Sequence, residues 1–216
     1  MSAPEVRPFL SGIILAAGTS RRMQRPKQLL PLQGRCLLQH VIDAAAASCL
    51  DEIIVVLGHR AEEIRIALQL PAGRNIRLVV AADFAQGQSA SLRAGLRAAS
   101  ASATAAAILL GDQPGIGAPL IDFVAREFWA ADAVIARPVY SDAGGTISPG
   151  HPVFLARRIW PEVEALEGDQ GARALITAHP EWLYEIPLAG NPPADIDTWK
   201  DYQNAGLRSP RARCGC

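Results

Sequence analysis

Short apolar runs alternate with amphipathic segments along most of the chain. Each apolar run is four to six residues long, and the first, second and fourth runs stop at or near a glycine, a pattern typical of buried parallel strands. The intervening segments carry apolar residues three and four apart, which predicts helices. The strands are predicted at residues 12–16, 52–57, 76–80, 106–110 and 133–136, and the helices at 36–48, 61–70, 89–99 and 119–129. Ser89 is predicted to be the N-cap of its helix.

The alternation breaks between Pro138 and Pro152, where turn-forming residues predict either a surface hairpin or a mobile loop that closes as a lid. Beyond it we predict helices at 161–165 and 172–178, a strand at 182–186 and a final helix at 199–205. Strands alternating with helices indicate βαβ units. We therefore predict one α/β domain, doubly wound and Rossmann-like, over residues 11–206, with an N-terminal extension (1–10) and a flexible C-terminal tail (207–216).

Composition narrows the classes of partner that the protein could bind. Hydrophobic residues make up 50% of the chain, and 21 basic residues balance 21 acidic ones, so no overall field attracts nucleic acid or a membrane surface. No apolar run approaches the roughly 20 residues needed to span a bilayer, and we expect a cytoplasmic protein. The cysteines form no zinc pattern: Cys36 and Cys49 are predicted to be reduced core thiols. Cys214 and Cys216 lie in the tail, where they could bind metal or react.

A loop of small and basic residues follows the first predicted strand, from Ala17 to Lys27. Small residues let backbone N–H groups approach an anion, and Arg21, Arg22, Arg25 and Lys27 can neutralise phosphate charge. The loop matches neither the Walker pattern nor the dinucleotide fingerprint. The alternative is a solvated basic loop.

Carboxylates occur at two further places where a metal could bind. Asp112 follows the strand 106–110, and ligands of open parallel sheets bind at that edge. Asp195 and Asp197 are two residues apart and project to one side of an extended segment. Carboxylates beside a polyphosphate suit Mg²⁺. The alternatives are a turn at Asp112 and a helix cap at Asp197 or Thr198.

Several motifs, taken in order, resemble those of the molybdopterin-guanine-dinucleotide-type (MobA-like) nucleotidyltransferases, and most closely the molybdenum cofactor cytidylyltransferase (MocA-like) branch. The resemblance runs from residue 11 to about 206. It implies a Rossmann-like fold with a mixed sheet, and Mg²⁺-dependent transfer of CMP from CTP to the phosphate of the molybdopterin cofactor with release of pyrophosphate. The motifs are LAAGTSRRM at 15–23, PKQLLP at 26–31 with Gly34, GQSASLRAG at 87–95, LGDQP at 110–114, GHP at 150–152, GDQGAR at 168–173 and DIDT at 195–198.

The resemblance also implies roles for individual residues. Arg22, Lys27 and Asp112 would be catalytic, and Asp112 and Asp195 would bind the metal with assistance from Asp197. Gln88, Ser89 and Ser91 would face the base, the sugar or the pterin; of these, Gln88 and Ser89 are assigned to the nucleotide. The other nucleotide-binding positions would be Leu15, Ala16, Ala17, Gly18, Thr19, Ser20, Arg22, Lys27 and Asp112. The acceptor-binding positions would be Ser91, His151, Asp169 and Arg173.

Two details bear on specificity. Gln24 stands where the family usually has glycine, which could alter acceptor preference, and Ala16-Ala17-Gly18 favours CTP over GTP because guanylyl-transferring relatives tend to have a second glycine there. Three alternatives stay open: nucleotidyl transfer to a sugar phosphate or methylerythritol phosphate, an NAD(P)-linked oxidoreductase, and a chaperone that delivers the cofactor to a molybdenum hydroxylase. Such a hydroxylase could also receive the enzyme's product.

Overall fold

A computed structural model describes residues 8–20, 23 and 25–207. The predictions for Arg21, Arg22, Gln24, most of the N-terminal extension and the tail from residue 208, with its two cysteines, lie outside this range. The strands are β1 (Phe9–Leu15), β2 (Pro31–Leu32), β3 (Arg35–Cys36), β4 (Glu52–Leu57), β5 (Ile76–Val80), β6 (Ala103–Leu110), β7 (Ile135–Ser141), β8 (Ile147–Pro149), β9 (Val153–Ala156) and β10 (Leu183–Ala189). The helices are α1 (Leu37–Ala46), α2 (Ala61–Ala67), α3 (Gln88–Ala98), α4 (Ala118–Ala130), α5 (Trp160–Glu164), α6 (Ala172–Ala178) and α7 (Trp199–Leu207).

One mixed sheet of eight strands organises the fold, which confirms the predicted Rossmann-like α/β domain. Its order is β10-β7-β9-β6-β1-β4-β5, with β8 paired to β7. Neighbours in the β6-β1-β4-β5 part are parallel, and so are β7 and β10. Within this sheet, β8 and β9 run in the opposite direction to the other strands. The carboxyl ends of β1 and β6 are therefore adjacent, at the edge where the phosphate loop and Asp112 were predicted.

The segment 138–152 forms the predicted hairpin rather than an unstructured loop. Strand β7 extends through Pro138 to Ser141, and β8 pairs back against it. Asp142 accepts hydrogen bonds from the backbone N–H groups of Gly144 and Thr146, both at 2.8 Å, which closes the turn. Strand β9 then inserts between β6 and β7, and this strand was not predicted.

Helices cover both faces of the sheet. On one face, Ile14, Val55 and Leu109 pack with residues of α1 and α4. On the other face, Ile13 and Ile108 pack with residues of α3 and α5. All six residues of β4 are buried, as expected for a central strand covered on both sides. Cys36 and Cys49 are reduced thiols, as predicted, but both are only partly buried. Cys49 packs against the core from its edge. Over the described part of the chain, no helix combines the length and apolar character needed to cross a membrane.

A buried carboxylate joins β1, β4 and β5 at the amino ends of the first two strands. The Glu52 side chain is 1% exposed and accepts hydrogen bonds from Ser11 Oγ at 2.6 Å, the Ser100 backbone N–H at 2.6 Å and the Arg77 guanidinium at 2.7 Å. Burial alone would raise the pKa of this carboxyl, but the three donors hold the pKa below its ordinary value of 4.5. A carboxyl with a lowered pKa stabilises the fold above that ordinary value and loses this contribution as the pH falls through the folded-state pKa.

We therefore expect Glu52→Gln to lower the free energy of unfolding by about 2 kcal/mol at neutral pH, since it weakens hydrogen bonds to a buried charge. The difference from wild type should narrow as the pH falls below about 4.5. Urea unfolding followed from pH 3 to pH 7 measures this. Glu63→Gln, which removes an exposed ion pair with Arg60, is the control and should have little effect. A Glu52→Gln loss that does not change with pH would show that its charge is unimportant.

Candidate active site

A cleft of about 640 Å³ opens at the carboxyl ends of β1 and β6. Its walls come from the loop after β1, the turn after β6, the start of α3, and the segments around residues 169 and 197. The lining residues are Leu15, Ala16, Ala17, Gly18, Thr19, Lys27, Gln28, Phe84, Ala85, Gly87, Gln88, Ser91, Leu110, Gly111, Asp112, Asp169 and Asp197. Many residues predicted separately from the sequence thus line one cavity.

The loop after β1 is held closely against the sheet. The Ala16 N–H donates to Val56 O at 2.9 Å, and Ala17 O accepts from the His59 N–H at 3.3 Å. The methyl groups of both alanines abut glycines: a Cβ on Gly111 would lie 2.9 Å from Ala16 Cβ, and one on Gly58 would lie 2.8 Å from Ala17 Cβ. Because the neighbouring positions have no side chain, the loop can lie deep between β4 and β6.

Lys27 bridges two carboxylates at the cleft. Its Nζ contacts Asp112 Oδ2 and lies 2.7 Å from Asp197 Oδ1. Burial of the ammonium acts to lower the pKa of Lys27, but the charge and hydrogen bond of Asp112, joined by those of Asp197, raise the pKa above its ordinary value of 10.5. Lys27 therefore stays charged at neutral pH. The stability it contributes is present below pH 10.5 and is lost only as the pH rises through the raised pKa.

The second metal candidate, Asp195, is positioned by the turn after β6. Gln113 Nε2 donates to Asp195 Oδ1 at 2.5 Å, and the Ile196 N–H donates to Asp112 O at 3.1 Å. Desolvation and the charge of Asp112 raise the pKa of Asp195. Asp195 is not among the residues that line the cleft, but it lies beside Asp112 through these two contacts.

Helix α7 is capped by Thr198, one of the two residues considered for that role. Thr198 Oγ1 accepts from the Asp201 N–H at 3.2 Å, and Asp201 Oδ2 accepts from the Thr198 N–H at 2.8 Å. This reciprocal pair is a capping box with aspartate at its third position. The cap leaves the Asp197 carboxylate to contact Lys27.

The carboxylates satisfy one condition for a divalent metal. Asp112 Oδ1 is buried and has no hydrogen-bond partner among the described residues, which is costly unless a ligand or ion meets it. Within the same residues, no group of three or more acidic, histidine or cysteine side chains is arranged to hold a metal by itself. Mg²⁺ commonly binds through one or two carboxylates together with substrate phosphates and water, so these residues fit an ion that arrives with a phosphate ligand.

Another wall of the cleft joins the start of α3 to the segment 168–171. The Ser89 N–H donates to Gly168 O at 3.1 Å, and the Gln88 N–H donates to Asp169 Oδ1 at 3.3 Å. The N-cap of α3 is Gly87, not Ser89; that prediction was wrong because glycine alone fits the turn. Ser89 is instead fully buried in the first helical turn, and its hydroxyl has no partner among the described residues.

Gly87 is required for this wall in two ways. Its φ of +109° with ψ of −174° belongs to a region that is essentially restricted to glycine. A Cβ at this position would also lie 2.4 Å from the Gly168 carbonyl. We expect Gly87→Ala to displace the wall and raise KM for the nucleotide about 10-fold or more, because ångström-scale displacement is costly in an active site.

Gly73→Ala is the matched control for this prediction. Gly73 also has a positive φ, +74°, but a Cβ there would meet nothing within 4 Å. It should lower the free energy of unfolding by roughly 1 kcal/mol and leave KM unchanged. Steady-state kinetics and thermal unfolding of both variants measure the difference; equal KM values would contradict the role given to the wall.

The remaining predicted residues are not gathered at the cleft. Ser20 does not line the cleft, and its Oγ accepts from the Lys27 N–H at 3.1 Å within the loop. His151 lies near Asp112 and Arg137, and burial lowers its pKa to about 4, with Asp112 opposing and Arg137 adding to the shift. It is therefore neutral at neutral pH. Arg173 is exposed on α6 and does not line the cleft. Neither residue is placed in contact with the cavity, and their acceptor roles stay predictions.

Two buried glutamines were not singled out from the sequence. Gln28 and Gln113 are 3% and 5% exposed, and they hold the loop after β1 and Asp195, respectively. The available signal was a polar residue inside a motif next to a predicted catalytic residue: Gln28 follows Lys27, and Gln113 follows Asp112.

Comparison with known proteins finds a matching family model and similar curated proteins. The family model described as the MobA-like NTP transferase domain matches residues 12–182. Nicotine blue oxidoreductase of Paenarthrobacter nicotinovorans is 30% identical over 183 residues, covering 83% of this chain and 86% of that protein. The purine catabolism protein PucB of Bacillus subtilis is 32% identical over 179 residues, covering 78% and 81%.

Solved structures similar to this chain include a mycobacterial protein. The crystal structure of Rv0371c from Mycobacterium tuberculosis superimposes with a TM-score of 0.79 at 30% identity, over 96% of this chain and 100% of that one. A manganese complex of the same mycobacterial protein superimposes with a TM-score of 0.74 at 30% identity, over 93% and 99%.

Proposed function

We propose, from the premise that the chain belongs to the MobA-like NTP transferase family and is a nucleotidyltransferase of the MocA-like branch, that it transfers CMP from CTP to the molybdopterin form of the molybdenum cofactor and releases pyrophosphate. The reaction forms a bond between an acceptor phosphate oxygen and the α-phosphorus of CTP. It breaks the bond from that phosphorus to the bridging oxygen of the leaving pyrophosphate.

The observation that carries the proposal is the convergence of Lys27, Asp112 and Asp197 beside the loop after β1. A triphosphate needs positive charge and backbone donors, and a metal that accompanies it needs carboxylate oxygens. The cleft offers both within one cavity. It is also large enough for a nucleotide, since small-molecule sites generally have volumes of about 300–1,000 Å³.

Lys27 would stabilise negative charge that grows on the phosphates during transfer, because it stays protonated and lies in a partly buried site. The loop N–H groups would hold the triphosphate, and Arg22 would add a second positive charge. An acceptor phosphate is already ionised near neutral pH, so no general base is required, and the neutral His151 need not accept a proton. Bound at Asp112 and Asp195, with Asp197 beside them, Mg²⁺ would supply Lewis-acid polarisation of the phosphates. The manganese complex of the mycobacterial relative supports a divalent ion.

Substrate choice rests on the resemblance together with the cleft. The Ala16-Ala17-Gly18 sequence favours CTP, and the tight fit of both alanines explains why a change of residue there would reshape the nucleotide side. For the acceptor, Ser91 and Asp169 line the cleft and would contact the pterin. The acceptor roles of His151 and Arg173 rest on the resemblance alone. The enzyme would then deliver its product, the CMP-bearing cofactor, to a molybdenum hydroxylase.

The proposal is tested by pyrophosphate release with Mg²⁺, the molybdopterin cofactor and each of CTP, GTP, ATP and UTP. We expect release with CTP alone. Release with a different nucleotide would show that the enzyme prefers another base, and the proposed reaction type would stand. If triphosphates bind but none reacts, the acceptor assignment is wrong, and sugar phosphates and methylerythritol phosphate are the acceptors to test next.

A redox activity is the second candidate because one relative carries an oxidoreductase name. NAD(P)H fluorescence during titration with the protein distinguishes it. We expect no change in the fluorescence, because the loop after β1 lacks the glycine spacing that binds a dinucleotide. Saturable binding with hydride transfer to an added acceptor would replace the transferase proposal.

A further inference from the structure

We infer that Gln28 is a positioning residue: its carboxamide fixes the loop after β1 so that the backbone N–H groups of Ala17 and Thr19 are presented to the triphosphate. This inference rests on the proposed function only in needing a triphosphate in the cleft. It does not depend on which base or acceptor is used.

The side chain of Gln28 contacts the loop at two carbonyl groups. It lies in a short 3₁₀ turn with Lys27, whose ammonium contacts Asp112 and Asp197. Gln28 Nε2 donates to Ala16 O at 2.9 Å and to Gly18 O at 3.2 Å. Both amide hydrogens are therefore used on the loop, and the side chain is buried.

These two hydrogen bonds determine the direction of the loop N–H groups. In a trans peptide the C=O and the following N–H point in opposite directions, and the only cis peptide among the described residues is His151–Pro152. Because Ala16 O and Gly18 O face Gln28, the N–H groups of Ala17 and Thr19 face away from it. Neither donates to an acceptor within the described residues, and both residues line the cleft.

The exit of the loop is fixed by the same side chain. Ser20 adopts a left-handed φ of +51°, and its Oγ lies 3.4 Å from Gln28 Oε1 and accepts from the Lys27 N–H. Gln28 thus connects the loop to the segment that carries Lys27. Two N–H groups held in advance on one side of a loop form an anion-binding concavity, and fixing them before binding avoids the entropy cost of ordering the loop.

Gln28→Met tests the inference because methionine retains the length and volume of glutamine but cannot donate. We expect its Kd for inorganic tripolyphosphate with Mg²⁺, measured by calorimetry, to rise about 10-fold or more, and KM for the nucleotide to rise similarly while kcat changes less. Gln28→Glu, which replaces the donor by a carboxylate, should weaken binding further.

Gln39→Met is the matched control. Gln39 is also buried, at 5% exposure, and its Nε2 also donates to a backbone carbonyl, Gln69 O, at 2.9 Å, but it does not line the cleft. Both methionine variants should lower the melting temperature, and only Gln28→Met should lose tripolyphosphate affinity. Wild-type affinity in Gln28→Met would overturn the inference.

A measurement on the wild-type protein covers the case in which Gln28→Met does not fold. In ¹⁵N-labelled protein, the amide signals of Ala17 and Thr19 should shift when tripolyphosphate binds. Binding by calorimetry without a shift of either signal would overturn the role of Gln28 while leaving the transferase proposal in place. If neither tripolyphosphate nor any nucleoside triphosphate binds, the proposed function itself fails and the inference falls with it.

Discussion

Asp112→Ala is expected to lower kcat/KM for nucleotidyl transfer by about 10²-fold or more, in the range seen for other preorganised electrostatic groups. Asp112 Oδ2 holds Lys27, and Oδ1 is buried without a partner among the described residues. Removing this carboxylate takes away the anchor for the lysine and, on the proposed mechanism, one ligand for the divalent ion. Pyrophosphate release at varied nucleotide concentration measures the loss.

Two further variants complete this test: Asp112→Asn separates the charge of the side chain from its shape, and Asp43→Ala is the control. Asp112→Asn keeps the size of the side chain and one oxygen for Lys27 but removes the negative charge, so it should lose nearly as much activity as alanine. Asp43 lies on α1, away from the cleft, and contacts Arg35 of β3. Asp43→Ala should therefore retain wild-type turnover. Near-normal kcat/KM in either Asp112 variant would end its assignment as a catalytic metal ligand.

Lys27→Ala should also lower kcat/KM by about 10²-fold or more, because a positive charge next to the reacting phosphates is lost. The variant leaves Asp112 and Asp197 close together with no ammonium between them. The remaining carboxylates would repel the triphosphate, so both KM and kcat should worsen.

The chain offers an unusually direct control for this second variant. It contains only one other lysine, Lys200, which is exposed in α7. Lys200→Ala changes the net charge by the same amount and should leave the kinetics unaltered. If both alanine variants lose activity equally, overall charge and not the position of Lys27 would be responsible.

Much of the fold follows from local patterns. Strands β1, β4, β5 and β6 were predicted because each contains a short apolar run, and three of these runs stop at or near a glycine. The sequence could not show β9, because its four apolar residues (Val153–Ala156) follow a segment dense in proline and glycine and precede a helix. Only its pairing with β6 and β7, which are distant in sequence, makes it a strand.

The residues of the candidate site also fall into those that the sequence indicates and those that only the folded structure shows. Lys27 and Asp112 could be identified because each lies in a motif next to a predicted strand end. The role of Gln28 could not, because it depends on which carbonyls its amide faces, and that is a property of the folded loop. The cap at Gly87 was missed for a similar reason. Serine is the commoner N-cap, but Gly168 lies so close to position 87 that no side chain fits there.

The contact of Lys27 with Asp197 joins residues 170 positions apart. A ribosome synthesises the amino-terminal part first, and domains tend to fold as their residues emerge. A nascent chain that ends at β10 would already hold every strand of the sheet, but neither Asp195 nor Asp197. On the roles proposed for Asp195 and Asp197, a nascent chain that lacks them should fold its sheet without catalysing nucleotidyl transfer, and activity should begin only once both residues have been translated.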